Sequence, residues 1–115
     1  MCDSLSPPPM ALGTAQLGSV YGVANRAGRP SLDTVGGILR AAADGGIVFV
    51  DTAAAYGEAE QVIGRALRLP AMAPFDLVTK LHADAEREGQ GAVRRRIDHS
   101  LRNLGIDRLW AVLLH

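Results

Sequence analysis

The sequence predicts an α/β fold of parallel strands joined by crossover helices, arranged as successive units of a (β/α)8 barrel. Three observations lead there. Short apolar runs alternate with stretches of helical periodicity, and the runs begin near residues 10, 47, 75 and 109, an alternation that calls for a parallel sheet with right-handed crossovers. The later spacings lie close to the roughly 31 residues per unit obtained when a typical barrel of about 250 residues is divided by eight. A doubly wound sheet would open a helix directly from a glycine-rich turn after the first strand, whereas here a long loop intervenes.

The elements follow in chain order. Residues 1–9 hold three consecutive prolines and an acidic residue without an apolar run, so they read as a flexible N-terminal tail and not as a secretory signal. One domain is expected over residues 10–115. Met10 to Thr14 suits a short first strand, followed by a loop through Gly18, Tyr21-Gly22 and the turn-rich stretch Asn25 to Pro30. Ser31 is suited to cap a helix reaching about Asp44, with Leu32, Val35, Ile38, Leu39 and Ala42 on one face and Gly45 at its stop. Gly36-Gly37 inside it costs about 1 kcal/mol per glycine against alanine, so packing has to supply the order.

Ile47-Val48-Phe49-Val50 is apolar throughout, as expected of a second strand buried on both faces and ending at Asp51. Glu58 and Glu60 open the next helix, where acids favour the positive end of the dipole. Its apolar face is Val62, Ile63, Ala66 and Leu67, and it closes before Pro70. Phe75 to Lys80 is a third strand. From about Gly91 to Leu104, residues Val93, Ile97, Leu101 and Leu104 share one helix face, stopped by Gly105. Leu109 to Leu114 is the fourth strand, and His115 follows it.

Composition narrows the function classes. Twelve Lys plus Arg balance twelve Asp plus Glu, so no net field draws the chain to nucleic acid or to an acidic membrane surface. One cysteine, Cys2, forms neither an internal disulfide nor a cysteine-based zinc site, which fits a reducing cytoplasm. No window approaches the roughly 20 apolar residues of a membrane-spanning helix.

Asp51, Lys80 and His115 each end a different expected strand, and Tyr56 lies on the loop just beyond Asp51. Singly, each has a plain structural role: a helix cap, a half-buried aromatic, a surface charge, a satisfied polar end. Jointly they belong on one rim, because the carboxyl ends of barrel strands converge on the face where such folds do chemistry. His82 and His99 receive no role, and Arg94-Arg95-Arg96 with Arg102 read as a solvated helix face.

These residues in this order carry a family resemblance. Gly13-Thr14-Ala15-Gln16-Leu17-Gly18, Asp51-Thr52-Ala53-Ala54-Ala55-Tyr56-Gly57, Glu60 and Gly64 in the following helix, Val78-Thr79-Lys80 and Leu113-Leu114-His115 resemble the aldo-keto reductases, specifically their N-terminal half. The resemblance runs from about residue 10 to residue 115. It implies the first half of a TIM (β/α)8 barrel, about four β/α units ending at the fourth strand, and so a fragment or truncated product of a longer reductase.

The activity implied is reduction of an aldehyde or ketone, a small-molecule carbonyl substrate, by hydride from a nicotinamide cofactor, NADPH in most members and NADH otherwise. By the same resemblance Tyr56 is the proton donor, Lys80 the cation that favours its phenolate, Asp51 the holder of Lys80, and His115 the group that orients the carbonyl. Gly13, Thr14, Ala15 and Asp51 line the nicotinamide end of the cofactor. A free phenol has a pKa near 10, so a neighbouring cation helps it exchange protons at neutral pH. Two other readings stand beside this one. A half-barrel that self-associates through its exposed edges would be a binding module without catalysis. A metal-dependent barrel hydrolase would use Asp51, Lys80 and His115 as ligands, but would want paired histidines on the first strand, where Met10 to Thr14 has none.

Overall fold

A computed structural model of the chain describes residues 9–18 and 30–115. Residues 1–8 of the N-terminal tail, Cys2 among them, Tyr21-Gly22 and residues 25–29 of the turn-rich stretch lie outside the described residues. The elements are β1 (Ala11–Gly13), α1 (Ala15–Gly18), α2 (Leu32–Asp44), β2 (Phe49–Asp51), α3 (Ala59–Ala66), β3 (Asp76–Leu81), α4 (Asp84–Arg87), α5 (Gln90–Leu104) and β4 (Ala111–Leu114). The strands form one sheet in the order β1-β2-β3-β4 with every pair parallel. This is the expected architecture of four β/α units, with the sheet open rather than closed on itself.

Register decides what each face carries. Gly13 pairs with Asp51, Asp51 with Val78, and Lys80 with Leu113. Side chains alternate between faces along a strand, so Gly13, Phe49, Asp51, Val78, Lys80, Ala111 and Leu113 share one face. Leu12, Val50 and Leu77 share the other and pack with Val35 and Leu39 of α2, Val62 and Ile63 of α3, and Leu104 of α5. Each such buried aliphatic side chain is worth about 1.5–3 kcal/mol relative to exposure. The helices therefore cover one face only.

This arrangement corrects the expectation of a second strand buried on both faces. Val50 is fully buried, but Val48 is 51% exposed and Phe49 is half-buried, packed edge-on against Trp110 with ring centroids 4.9 Å apart. Among the described residues no layer covers the face that Phe49 lines.

The helices begin and end mostly where local chemistry places them. Ser31 caps α2 by accepting the Thr34 N–H at 3.2 Å. Gly105, at φ 66°, ends α5 in the left-handed conformation that favours glycine. Gly45 ends α2 as expected, with its N–H donating to Ala41 O, and the left-handed residue is the next one, Gly46, φ 90°. Leu32, placed at the first turn of α2, is exposed rather than packed.

On α5 the buried residues are Ala92, Ser100 and Leu104, with Val93, Ile97 and Leu101 only half-buried. Leu104 of the expected face is buried, and there α5 meets α3 closely: a Cβ on Gly64 would collide with the Asn103 carbonyl oxygen. Two single-turn helices, α1 and α4, fall in stretches read as loop. Four residues are too few for periodicity to register, and each turn is anchored by one buried side chain, Leu17 or Ala85. Among the described residues no helix is long and apolar enough to cross a membrane.

Candidate active site

At the carboxyl ends of β1, β2 and β3 the chain gathers an acid, an amine and a phenol. Asp51 is the last residue of β2, and Thr14, just past β1, donates its hydroxyl to the Asp51 carbonyl at 2.8 Å. Thr14 is buried, so the bond fixes the end of β2 against the end of β1. The Asp51 side chain points to the uncovered face and meets Lys80 from β3. The Lys80 ammonium donates to both carboxylate oxygens at 2.8 Å and to the Thr52 carbonyl at 3.1 Å. Side-chain exposure is 16% for Lys80 and 33% for Asp51, so the pair is sheltered but not desolvated.

Tyr56 completes the group. Its hydroxyl oxygen lies 3.4 Å from the Lys80 ammonium. The ring centre is 5.1 Å away, so the cation sits at the hydroxyl end rather than over the ring. An ammonium has three donors and no acceptor. Lys80 therefore takes lone pairs from Asp51, Thr52 and Tyr56, and does not consume the phenolic proton, which remains free to go to a third group.

The loop holding Tyr56 is pinned by its backbone. The Tyr56 N–H donates to Ala53 O at 3.1 Å, the Ala59 N–H to Tyr56 O at 3.0 Å, and the Glu58 N–H to Gly18 O at 3.2 Å. A Cβ on Gly18 would collide with the Tyr56 carbonyl oxygen and the Ala59 amide, so α1 can press against this loop only because residue 18 has no side chain.

His115 reaches the same rim. Its backbone N–H donates to Leu81 O at 2.8 Å, extending the β3 to β4 pairing by one step. Its exposed ring meets Tyr56 edge-on, with centroids 5.7 Å apart and planes at 89°. All four residues singled out from the sequence thus stand at one end of the sheet, Asp51, Lys80 and Tyr56 in polar contact and His115 against the Tyr56 ring.

The residues assigned to cofactor binding also meet. Gly13, Thr14 and Ala15 line a cleft of about 230 Å³ together with Gln16, Asp51 and Tyr56. A Cβ built on Gly13 finds no atom within 4 Å, so the cleft floor there is open backbone, accessible to a flat ring. Two contributors escaped the sequence reading: Gln16, in a stretch read as loop, and the Thr52 carbonyl, a backbone group that carries no residue-type signal. His82 is exposed and faces Asp84 at 3.2 Å, and Arg96 pairs with Glu88 at 2.8 Å. Among the described residues no group of three or more His, Cys, Asp or Glu is placed to hold a metal ion.

Comparison with known proteins agrees in family and fold. The model of the Aldo/keto reductase family matches residues 9–115. Among solved structures, a Pseudomonas aeruginosa protein described as an aldo-keto reductase is 33% identical with a TM-score of 0.75, over 93% of this chain and 42% of that one. A Klebsiella pneumoniae aldo-keto reductase, solved in complex with NADPH, is 33% identical with a TM-score of 0.72, over 94% of this chain and 35% of that one. An aldo/keto reductase from Brucella melitensis is 26% identical with a TM-score of 0.64, over 91% and 36%. The chain therefore spans less than half the length of these structures. No curated protein sequence matches it.

Proposed function

The chain belongs to the aldo/keto reductase family, and on that premise we propose that its four strands and the helices between them carry the proton-handling half of an NADPH-dependent carbonyl reductase site. The observation that supports this most directly is the Lys80 ammonium held between the Asp51 carboxylate at 2.8 Å and the Tyr56 hydroxyl at 3.4 Å.

In this reading Tyr56 is the general acid. Its proton goes to the oxygen of an aldehyde or ketone as the carbonyl carbon gains a hydride, and the product is the alcohol. Lys80 lowers the cost of the negative charge that grows on the phenolic oxygen as the proton leaves. Asp51 fixes the ammonium and balances its charge, so the cation stays where the phenol needs it. His115, beside the Tyr56 ring, donates a ring N–H to the substrate oxygen and orients the carbonyl.

The residues present fit a nicotinamide ring: the Gly13, Thr14 and Ala15 cleft is open at the glycine and bounded by Asp51 and Tyr56. When bound, the cofactor supplies the hydride. The Klebsiella pneumoniae relative in complex with NADPH supports NADPH as that cofactor here.

The test is a steady-state assay of aldehyde and ketone reduction, read by loss of NADPH absorbance, beside a fluorescence titration of NADPH binding. Tyr56→Phe is expected to lower turnover by about 10²–10⁴, the usual contribution of a positioned general acid, with NADPH affinity unchanged. Turnover equal to the parent would remove Tyr56 from the acid role.

A further inference from the structure

Glu60 is the one buried carboxylate among the described residues, 2% exposed, and nothing in the mechanism above uses it. Its position in the first turn of α3 suggests an interaction with the helix dipole, but the side chain turns inward instead. One carboxylate oxygen accepts the Thr79 hydroxyl at 2.7 Å and the other accepts the Asn103 amide at 3.2 Å. No cation contacts it within the described residues. A buried carboxylate is expensive unless its lone pairs are used, so these two neutral donors are what hold it in place.

The two partners belong to different elements with different consequences. Thr79 precedes Lys80 on β3 and projects to the helix-covered face, while Lys80 projects to the open face. Glu60 lies four residues beyond Tyr56, and the Ala59 N–H to Tyr56 O bond connects the start of α3 to the tyrosine. A short, buried path therefore runs from Lys80 through Thr79 and Glu60 to Tyr56, on the opposite side of the sheet from the ammonium–phenol contact. That contact is itself the longest of the four bonds made by Lys80, at 3.4 Å, so it is the one that least fixes itself. Asn103 reaches Glu60 from α5, which carries none of the four rim residues.

We infer that Glu60 is a positioning residue: its bond to Thr79 tethers the helix following Tyr56 to the strand carrying Lys80, and thereby sets the separation of phenol and ammonium. The bond to Asn103 serves packing of α5 and does not reach the site. The inference rests on the reading of Lys80 and Tyr56 as a working pair. Its test measures their geometry without turnover, so its failure and that of the reductase reading are separable.

The experiment places 13C at Cζ of tyrosine in the whole chain and follows the Tyr56 resonance, distinguished from that of Tyr21 by its loss in Tyr56→Phe. Lys80→Met defines the signal of a phenol without its cation, and a urea titration follows stability in every variant. Thr79→Val, close to isosteric, should move the Tyr56 resonance more than halfway to the Lys80→Met position. Asn103→Ala should lower the urea midpoint and leave the resonance in place.

Glu60→Gln should also leave it in place, because a threonine hydroxyl can accept from the new amide while the amide oxygen accepts from Asn103. The inference is overturned if Thr79→Val leaves the resonance unmoved. It is equally overturned if Asn103→Ala moves it as far, which would mark Glu60 as packing alone, or if Glu60→Gln matches Thr79→Val, which would mark its charge and not its tether as the active feature.

Discussion

On the helix-covered face of the sheet Val50 and Thr79 are fully buried and Leu77 and Leu81 nearly so, whereas on the opposite face the same strands leave Phe49, Asp51, Val78 and Lys80 half-buried and Leu113 47% exposed. The two faces differ by one residue of register, since alternation assigns neighbours to opposite sides. The covered face is where α2, α3 and α5 meet the strands and where apolar burial accumulates. The open face carries the ion pair and the tyrosine, and an apolar groove of about 390 Å³ that runs from Pro9 and Gly13 across Phe49 and Val78 to Leu113. Stability and candidate chemistry are thus separated by the thickness of a strand, and a substitution should report mainly on one or the other according to the face it occupies, the Thr79–Glu60 tether being the link between them.

The largest loss is expected on the covered face. Ile63→Ala, at a fully buried position, should cost about 2–5 kcal/mol in urea denaturation. Gly64→Ala adds one methyl where the Asn103 carbonyl stands, and should cost about 1–3 kcal/mol by the same measurement, because backbone has to shift to admit it. Lys80→Met removes an ion pair that is partly screened by solvent, so its cost should be about 1 kcal/mol or less, and under the proposed reading carbonyl turnover should fall with it.

The smallest effect belongs to the open face, where Leu113→Ala should change stability by about 0.5 kcal/mol. A loss as large as that of Ile63→Ala would break the comparison, because it would mean that the open face is packed against something in solution.

Much of this was legible from residue order. Asp51, Lys80 and His115 were found because each follows an apolar run, and Tyr56 because it trails Asp51 on a loop of small residues. Position at a strand end constrains where a side chain can go even without knowing its neighbours. Glu60 was not legible in the same way. Its partners are 19 and 43 residues distant, and a glutamate in a first helical turn is already accounted for by the dipole. The face of α5 was read only in part for a related reason. Periodicity selects Val93, Ile97, Leu101 and Leu104, of which Leu104 alone is buried, and the small residues Ala92 and Ser100 face inward with it. Val48 and Phe49 show the limit of reading burial from an apolar run, since four apolar residues in a row do not say whether a second layer exists to cover them.

The sequence by itself determined the order of strands and helices, the parallel pairing, and which residues stand at the carboxyl ends of the strands, because these follow from local periodicity, turn chemistry and the right-handed crossover. Only the tertiary structure decided which face of the sheet is covered, how close Lys80 comes to Tyr56, and what Glu60 holds. Those depend on register between strands and on the distance between helices, and both are settled by side chains from segments far apart in the chain packing at once.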